Sequence, residues 1–227
     1  MITRMPTSQS RSRRWVRFGT WSTTAIVVPF VAAHALLPWY TRRGARDDER
    51  NAGLPGDEIV PRPETGYTMA ITIGAVASAI WPWLVQMGQG RGGFYTYEWV
   101  ENVLAANIHN ADRIVAAWQH LEIGDRVRLT PDPYFGQPGQ FMTVAAMQPD
   151  RALVFRQTLP NGSTASWAFL LLPQDDATTR VIMRRRGGDP TLFDRVMAPG
   201  YVFMDRGMLH GLRRRVEAAV LSDSECD

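Results

Sequence analysis

The chain contains no lysine and only one cysteine among its 227 residues. Every basic charge is therefore an arginine. Cys226, one residue from the C-terminus, excludes an intrachain disulfide bond and any cysteine-based zinc site. Hydrophobic residues make up 45% of the sequence, which excludes a mostly disordered chain. The length suits one folded domain of ordinary size with an appendage.

The N-terminal arm, residues 1–20, has arginines and no acidic residue. The net charge of the chain is +3 and its pI is near 9.4. Beside an apolar run, such an arm indicates a topology signal or a contact to anionic lipid, so no nucleic-acid partner is predicted. The arginines of the arm are Arg4, Arg11, Arg13, Arg14 and Arg17.

An apolar run over residues 21–40 follows the arm and favours a single transmembrane helix or signal anchor. Its uncharged part, Ser22–Tyr40, would be roughly 28 Å long as a helix, just enough to cross the hydrocarbon core. Two alternatives remain open, a secretory signal that is cleaved and a soluble or peripheral helix. The predicted location is therefore the cell membrane, or outside the cell after cleavage. A slight excess of arginines before the run favours an N-terminus inside.

Residues 41–63 predict an exposed linker, because the segment is first charged and then rich in proline and glycine. Its acids Asp47, Asp48 and Glu49 are interpreted as solvated surface. The folded domain is expected over residues 64–222, with a tail at 223–227.

Within the domain, the order of patterns predicts an α+β fold. An alternating strand over Gly66–Gly74 precedes two helices, the first beginning near 79–81 because of Pro82 and the second covering Glu98–Ala106. Antiparallel strands follow between 125 and 186, and Asn161-Gly162 marks a hairpin turn. The Arg184-Arg185-Arg186 run is interpreted as a solvated rim. A long C-terminal helix, interrupted at Pro199-Gly200, is expected to lie in the curved sheet and to leave a space beneath it.

The sequence resembles a bacterial branch of the START-like superfamily over about Leu54–Ala219. The resemblance lies in the element order and in LPGDEIVP, AITIGA, IWPWLVQMGQGRGGFYTYEWVEN and IHNADRI. That superfamily (also called SRPBCC) includes birch-pollen-allergen-like proteins, polyketide cyclase/dehydrase proteins and lipid-transfer proteins. The resemblance implies a helix-grip fold, a curved antiparallel sheet wrapped on a long C-terminal helix, with a hydrophobic cavity. It implies no single activity, and an N-terminal membrane segment is not part of the basic fold.

Gly88-x-Gly90-x-x-Gly93 matches the dinucleotide-binding pattern in spacing only. That motif must follow a strand and open a helix, so that the helix N-terminus meets the pyrophosphate. Here it follows a helix and precedes Phe94-Tyr95, which favours a helix stop with a turn. No cofactor is predicted.

A dense polar constellation lies between Tyr95 and Asp112. His109, with Tyr97 or Glu101, could act as an acid-base site suited to cyclisation or dehydration of a polyketide-like substrate. The alternative is that Glu98 and Glu101 are solvated, while His109 and Asn110 bind loop backbone. His109 and Asp112 provide too few ligands for a first-row metal, so no metal site is predicted.

Aromatic and methionine side chains, Trp81 and Met142 among them, are the candidates for the cavity lining. Three hypotheses follow: a membrane-tethered domain that binds a hydrophobic or lipid-like molecule without catalysis, a cyclase or dehydratase, and a structural or signalling domain whose cavity is filled. The predicted ligand-binding residues are Trp83, Met87, Tyr95, Tyr97, Trp99, Asn102, Asn110, Trp118, Phe155, Trp167, Phe169, Phe203 and Met208.

Overall fold

The computed structural model describes residues 31–37, 41, 44–103 and 105–224, with side chains described as far as residue 222. The chain divides into two units, Met1–Leu36 and Leu37–Asp227. The basic arm, most of the apolar run 21–40 and the end of the tail lie outside the described residues. Residues 31–37 are helical. No helix among the described residues is long and apolar enough to cross a membrane, so the transmembrane helix stays a prediction.

A six-stranded antiparallel sheet forms the centre of the second unit, in the order β1-β6-β5-β4-β3-β2. The alternation of apolar and polar residues that predicts strands places one set of side chains on each face. The expected turn at Asn161-Gly162 joins β4 to β5, with Gly162 at a φ of 82°. The strands are β1 Thr65–Ile73, β2 Arg126–Arg128, β3 Phe141–Gln148, β4 Ala152–Thr158, β5 Thr164–Pro173 and β6 Thr179–Gly187.

Within the described residues from 44 onward, the α-helices are α1 Asp47–Asn51, α2 Ala77–Val85, α3 Glu98–Val103 and α4 Leu192–Ser224. Short 3₁₀ helices occupy Asp57–Ile59 and Ala116–Trp118. A sheet with a long C-terminal helix confirms the predicted α+β class and helix-grip arrangement. Helix α4 packs on the inner face of the sheet, where Leu209, Leu212 and Val216 are buried.

Three predicted helix boundaries are wrong. Helix α4 runs unbroken for 33 residues through Pro199, because a proline removes one backbone hydrogen bond and the remaining bonds continue the helix. Helix α2 begins at Ala77, so Pro82 lies in its second turn. Helix α3 ends at Val103 rather than Ala106, since Ala105 has a φ of 57° that no right-handed helix accepts.

The linker prediction is also wrong, because the described part of 41–63 packs against the outer face of the sheet. Glu49, interpreted as solvated, is only 4% exposed. Both of its carboxylate oxygens accept hydrogen bonds of 2.8 Å from Arg180 on β6. Ala45 and Val60 are buried as well. The segment is therefore a second layer that covers the sheet.

Strand β6 explains why the predicted solvated rim at Arg184–Arg186 is wrong. Successive strand residues point to opposite faces. Arg184 and Arg186 therefore lie on the outer face and pair with Asp57, at 2.7 and 2.9 Å, while Arg185 lies on the inner face. The Arg184 guanidinium also donates to the Thr68 hydroxyl and to the carbonyl oxygens of Glu49, Arg50 and Ala52.

We expect Arg184→Met to lower the free energy of unfolding by about 2 to 4 kcal/mol, because it leaves three carbonyl oxygens without their donor and removes one of the two arginines that pair with Asp57. Urea unfolding of the purified chain measures this loss, and limited proteolysis reports release of residues 44–60. Arg213→Met is the control, since Arg213 pairs with Glu217 on the exposed surface of α4 and its loss costs about 1 kcal/mol at most. Equal effects for the two variants would contradict the assigned role of Arg184.

Candidate functional site

A cavity of about 1250 Å³ lies between the inner face of the sheet and the first half of α4. Beyond it, Ile73, Leu171 and Val216 are fully buried in the core, so the helix and the sheet meet there without a gap. The cavity wall is mainly apolar. Its apolar side chains include Phe94, Tyr134, Met142, Phe155, Trp167, Phe203 and Met208.

The structure brings four of the predicted ligand-binding residues to the cavity: Phe155, Trp167, Phe203 and Met208. Four others, Trp83, Met87, Tyr95 and Phe169, are buried in the core and do not line it. Trp99 is 70% exposed on the outside of α3. Asn102, Asn110, Tyr97 and Trp118 do not line the cavity either.

Side-chain amides from Asn110 and Asn102 bind the backbone of the segments before and after α3. The Asn110 amide oxygen accepts from the backbone N–H groups of Phe94 and Tyr95, at 3.0 and 2.6 Å. Asn102 binds the backbone of Ile108 through both its amide nitrogen and its amide oxygen. These contacts agree with the interpretation of the amides as loop architecture.

Helix α4 approaches this segment closely because it carries glycine at two contact positions. A Cβ atom at Gly211 would overlap the carbonyl oxygen of Tyr95, and one at Gly207 would overlap the ring of Tyr97. The Tyr97 ring also stacks on Phe203, with centroids 4.9 Å apart. Tyr95 and Tyr97 therefore form the surface on which α4 packs, and this contact fixes the position of the helix next to the cavity.

The predicted catalytic set is not assembled at the cavity. Glu101 lines it, but Tyr97 does not, and His109 is exposed outside it. No group of three or more histidine, cysteine or acidic side chains that could hold a metal ion occurs among the described residues.

Glu101 is the acidic group of the cavity with an unmet hydrogen-bonding capacity. Helix α3 carries it towards Thr96, and its Oε2 atom has no hydrogen-bond partner. Burial raises the pKa of Glu101 to about 7, the Thr96 hydroxyl opposes this rise, and the charge of Glu98 adds to it. Burial and then the charge of Glu101 raise the pKa of the Tyr134 phenol on the same wall.

A second polar group in the cavity wall was not predicted from the sequence. The Arg185 Nε atom lies 2.5 Å from Asp205 Oδ2, and the guanidinium also donates to Oδ1 at 2.9 Å. The Tyr67 hydroxyl donates to Oδ2 at 2.5 Å. Burial and then the Asp205 charge raise the pKa of Tyr67 well above its usual value, so its phenol stays neutral.

Two signals in the sequence could have found this group. The alternation along β6 turns Arg185 inwards between two outward arginines. Asp205 lies three residues from Val202 and from Met208, on the apolar stripe of α4. An aspartate is almost never buried among apolar residues unless it is paired. Both signals require the sheet face and the helix face to be known together.

No protein-family model matches the chain, and no curated protein matches it. Solved structures do align with it. Protein MLL2253 from Mesorhizobium loti shares 18% identity at a TM-score of 0.43, covering 68% of this chain and 98% of its own. Norcoclaurine synthase from Thalictrum flavum shares 12% at 0.43, covering 69% and 93%. The Aha1 dimer from Colwellia psychrerythraea shares 14% at 0.41, covering 67% and 96%.

At such identities and TM-scores, these similarities support no statement about activity. The helix-grip description rests on the strand order and the long helix of the chain itself.

We expect Glu101→Gln to stabilise the chain at pH 8 but not at pH 4.5. Because the folded-state pKa lies above the unfolded value, the stability tied to Glu101 is present below about pH 4.5 and is lost as pH rises through about 7. The neutral amide escapes this loss, worth roughly 2 kcal/mol once screening by solvent at the partly exposed carboxyl group is allowed for. Urea unfolding at the two pH values measures the difference. Glu122→Gln controls for the loss of one exposed negative charge, and an identical pH response in both variants would refute buried titration.

Proposed function

We propose that the domain binds an apolar small molecule in the cavity between the sheet and α4. The observation that carries this proposal is a cavity of about 1250 Å³ that is open to solvent on one side and whose wall is mainly apolar. Ligand pockets in proteins usually enclose roughly 300–1,000 Å³, so this space accommodates a molecule of lipid or polyketide size. A domain that used its core only for stability would close such a space, because unfilled volume costs free energy.

Unpaired polar atoms around the cavity support binding rather than empty space. Glu101 Oε2 and Trp167 Nε1 are buried and have no hydrogen-bond partner, and both residues line the cavity. A buried polar atom without a partner costs about 1 to 3 kcal/mol. A ligand with a few polar atoms would relieve that cost, which favours a mostly apolar molecule with polar substituents over a pure hydrocarbon.

The membrane anchor is a separate proposal. We infer that residues 21–40 hold the domain at the cell membrane, because the run is uncharged for a membrane thickness and follows an arginine-rich arm. An anchored domain would exchange its ligand with the adjacent bilayer rather than diffuse as a free carrier. Fractionation of cells expressing the full chain, compared with a chain lacking residues 1–40, tests this proposal.

Acid-base catalysis is a second candidate function, and Glu101 is the observation that favours it. A carboxyl group with a pKa of about 7 and a free oxygen in an apolar cavity is suited to proton transfer near neutral pH. His109, the base proposed from the sequence, lies outside the cavity. Mass spectrometry of compounds recovered after incubation with the chain reports turnover, which Glu101→Gln should abolish without abolishing binding.

Filling the cavity should abolish ligand binding. Ala165 lies on β5 and lines the cavity, so Ala165→Trp places an indole in the ligand space. Leu172→Trp is the matched control, because Leu172 lies on the same strand, is exposed and does not line the cavity. Native mass spectrometry of chain stripped of bound molecules and then offered mixed lipids and polyketides measures occupancy. We expect ligand occupancy to fall by at least about tenfold for Ala165→Trp and to stay unchanged for Leu172→Trp, because a pocket normally buries most of the surface of its ligand and the indole would take part of that space. Equal occupancy in both variants would place the ligand elsewhere.

A further inference from the structure

Arg185 presents a charged group to the interior of the cavity. The residue lies deep in the protein, yet 33% of its side-chain surface is accessible. Because Arg185 lines the cavity, that accessible surface faces the ligand space. Its partner Asp205 is only 7% accessible at the side chain. The guanidinium, and not the carboxylate, is therefore the member of the pair that a ligand meets.

Contacts on two sides fix the position of this guanidinium. Asp205 binds it from α4 at 2.5 and 2.9 Å, and Tyr67 on β1 holds the carboxylate in turn. The guanidinium carbon lies 3.8 Å from the ring centroid of Trp167, a cation–π contact with the neighbouring strand. A donor held in this way loses little conformational freedom on binding, so its hydrogen bonds contribute more to affinity.

The charges around Arg185 determine which ligand group fits. Arg185 and Asp205 cancel, and the Tyr67 phenol is neutral. The acids that line the cavity (Glu64, Glu101, Asp194 and Asp205) outnumber its arginines (Arg185, Arg186 and Arg195). A carboxylate in the ligand would add a further negative charge, and a buried charge without its own counter-ion is costly. A neutral oxygen acceptor adds no charge and still uses the free N–H groups of the guanidinium, which carries five in all.

We propose that Arg185 binds a neutral oxygen acceptor, such as the carbonyl oxygen of a ketone, ester or amide, on an otherwise apolar ligand. This inference rests on the proposed function, because it requires the ligand to occupy the cavity. It assigns the specificity of the site to the sheet wall formed by Trp167 and Arg185.

Three fluorescent probes of one skeleton test the inference with the wild-type chain. They are prodan, which is a dimethylaminonaphthalene with a propionyl ketone, the same molecule with a propyl group in place of the ketone, and the corresponding carboxylate. We expect the ketone to bind about tenfold more tightly than the propyl compound, the contribution of one hydrogen bond to a charged donor. The carboxylate should bind most weakly at pH 8. Bound prodan should emit at the long wavelength typical of a hydrogen-bonded carbonyl.

The double variant Arg185→Met/Asp205→Asn removes the donor without leaving a buried charge unpaired. In this variant the ketone and the propyl compound should bind equally, and prodan emission should shift to shorter wavelength. Arg213→Met, on the exposed side of α4, should leave the ranking intact. The order of the three probe affinities is measured on the wild-type chain, so it still tests the role of Arg185 if the double variant does not fold.

The outcomes separate this inference from the proposed function. Equal binding of ketone and propyl compound by the wild type overturns the role of Arg185 while cavity binding stands. Preferred binding of the carboxylate overturns the neutral acceptor in favour of an anionic ligand. A ketone preference that persists in the double variant assigns it to another group. Failure of all three probes to bind contradicts the proposed function itself.

Discussion

The ion pair between Arg185 and Asp205 joins the sheet to α4 across the cavity. Elsewhere α4 is held by close apolar packing, as around Leu212 and Val216. At the cavity that packing is missing, and the pair with its Tyr67 hydrogen bond spans the gap between strand and helix. A buried ion pair is a weak source of net stability but specifies geometry, since either partner alone would leave an uncompensated charge. The pair thus links β6 to α4 at the wall of the cavity.

The remainder of the fold supports that opening from outside. On the outer face, Arg184 and Arg180 bind the segment before β1, which covers that face of the sheet. At the end of the cavity, Gly207 and Gly211 let α4 seat on Tyr97 and Tyr95. The space between these contacts is left unfilled, and Glu101 Oε2 and Trp167 Nε1 are polar atoms of its wall that have no hydrogen-bond partner.

Local patterns predict most of this architecture. Alternation gives the strands, the Asn161-Gly162 pair gives the hairpin, and helical spacing gives α4, because each of these depends on neighbours a few residues away. The sites of failure depend on distant partners. Glu49 was interpreted as solvated because the sequence does not show that Arg180 lies beside it. Arg185 was assigned to a solvated rim because neither its sheet face nor its partner Asp205 is visible in the local sequence. Trp99, predicted as lining, lies on the exposed side of α3, and an apolar ring in the sequence does not show which side of a short helix it occupies.

The volume of the cavity cannot be predicted from local sequence patterns, because it depends on distances between elements and not on residue type. Phe155, Trp167, Phe203 and Met208 were predicted as lining, and so were Phe169 and Met87, which are core residues of the same chemistry. An aromatic side chain looks alike in sequence whether it faces a void or another side chain.

A crystal structure of the chain under xenon pressure tests the central claim most directly, because xenon occupies apolar cavities that hold no ordered water. Xenon density among Phe155, Trp167 and Met208, or density of a retained ligand in the same place, is the predicted result. Contact between these side chains and α4, with no density between them, would show that the interior is filled and would contradict the account.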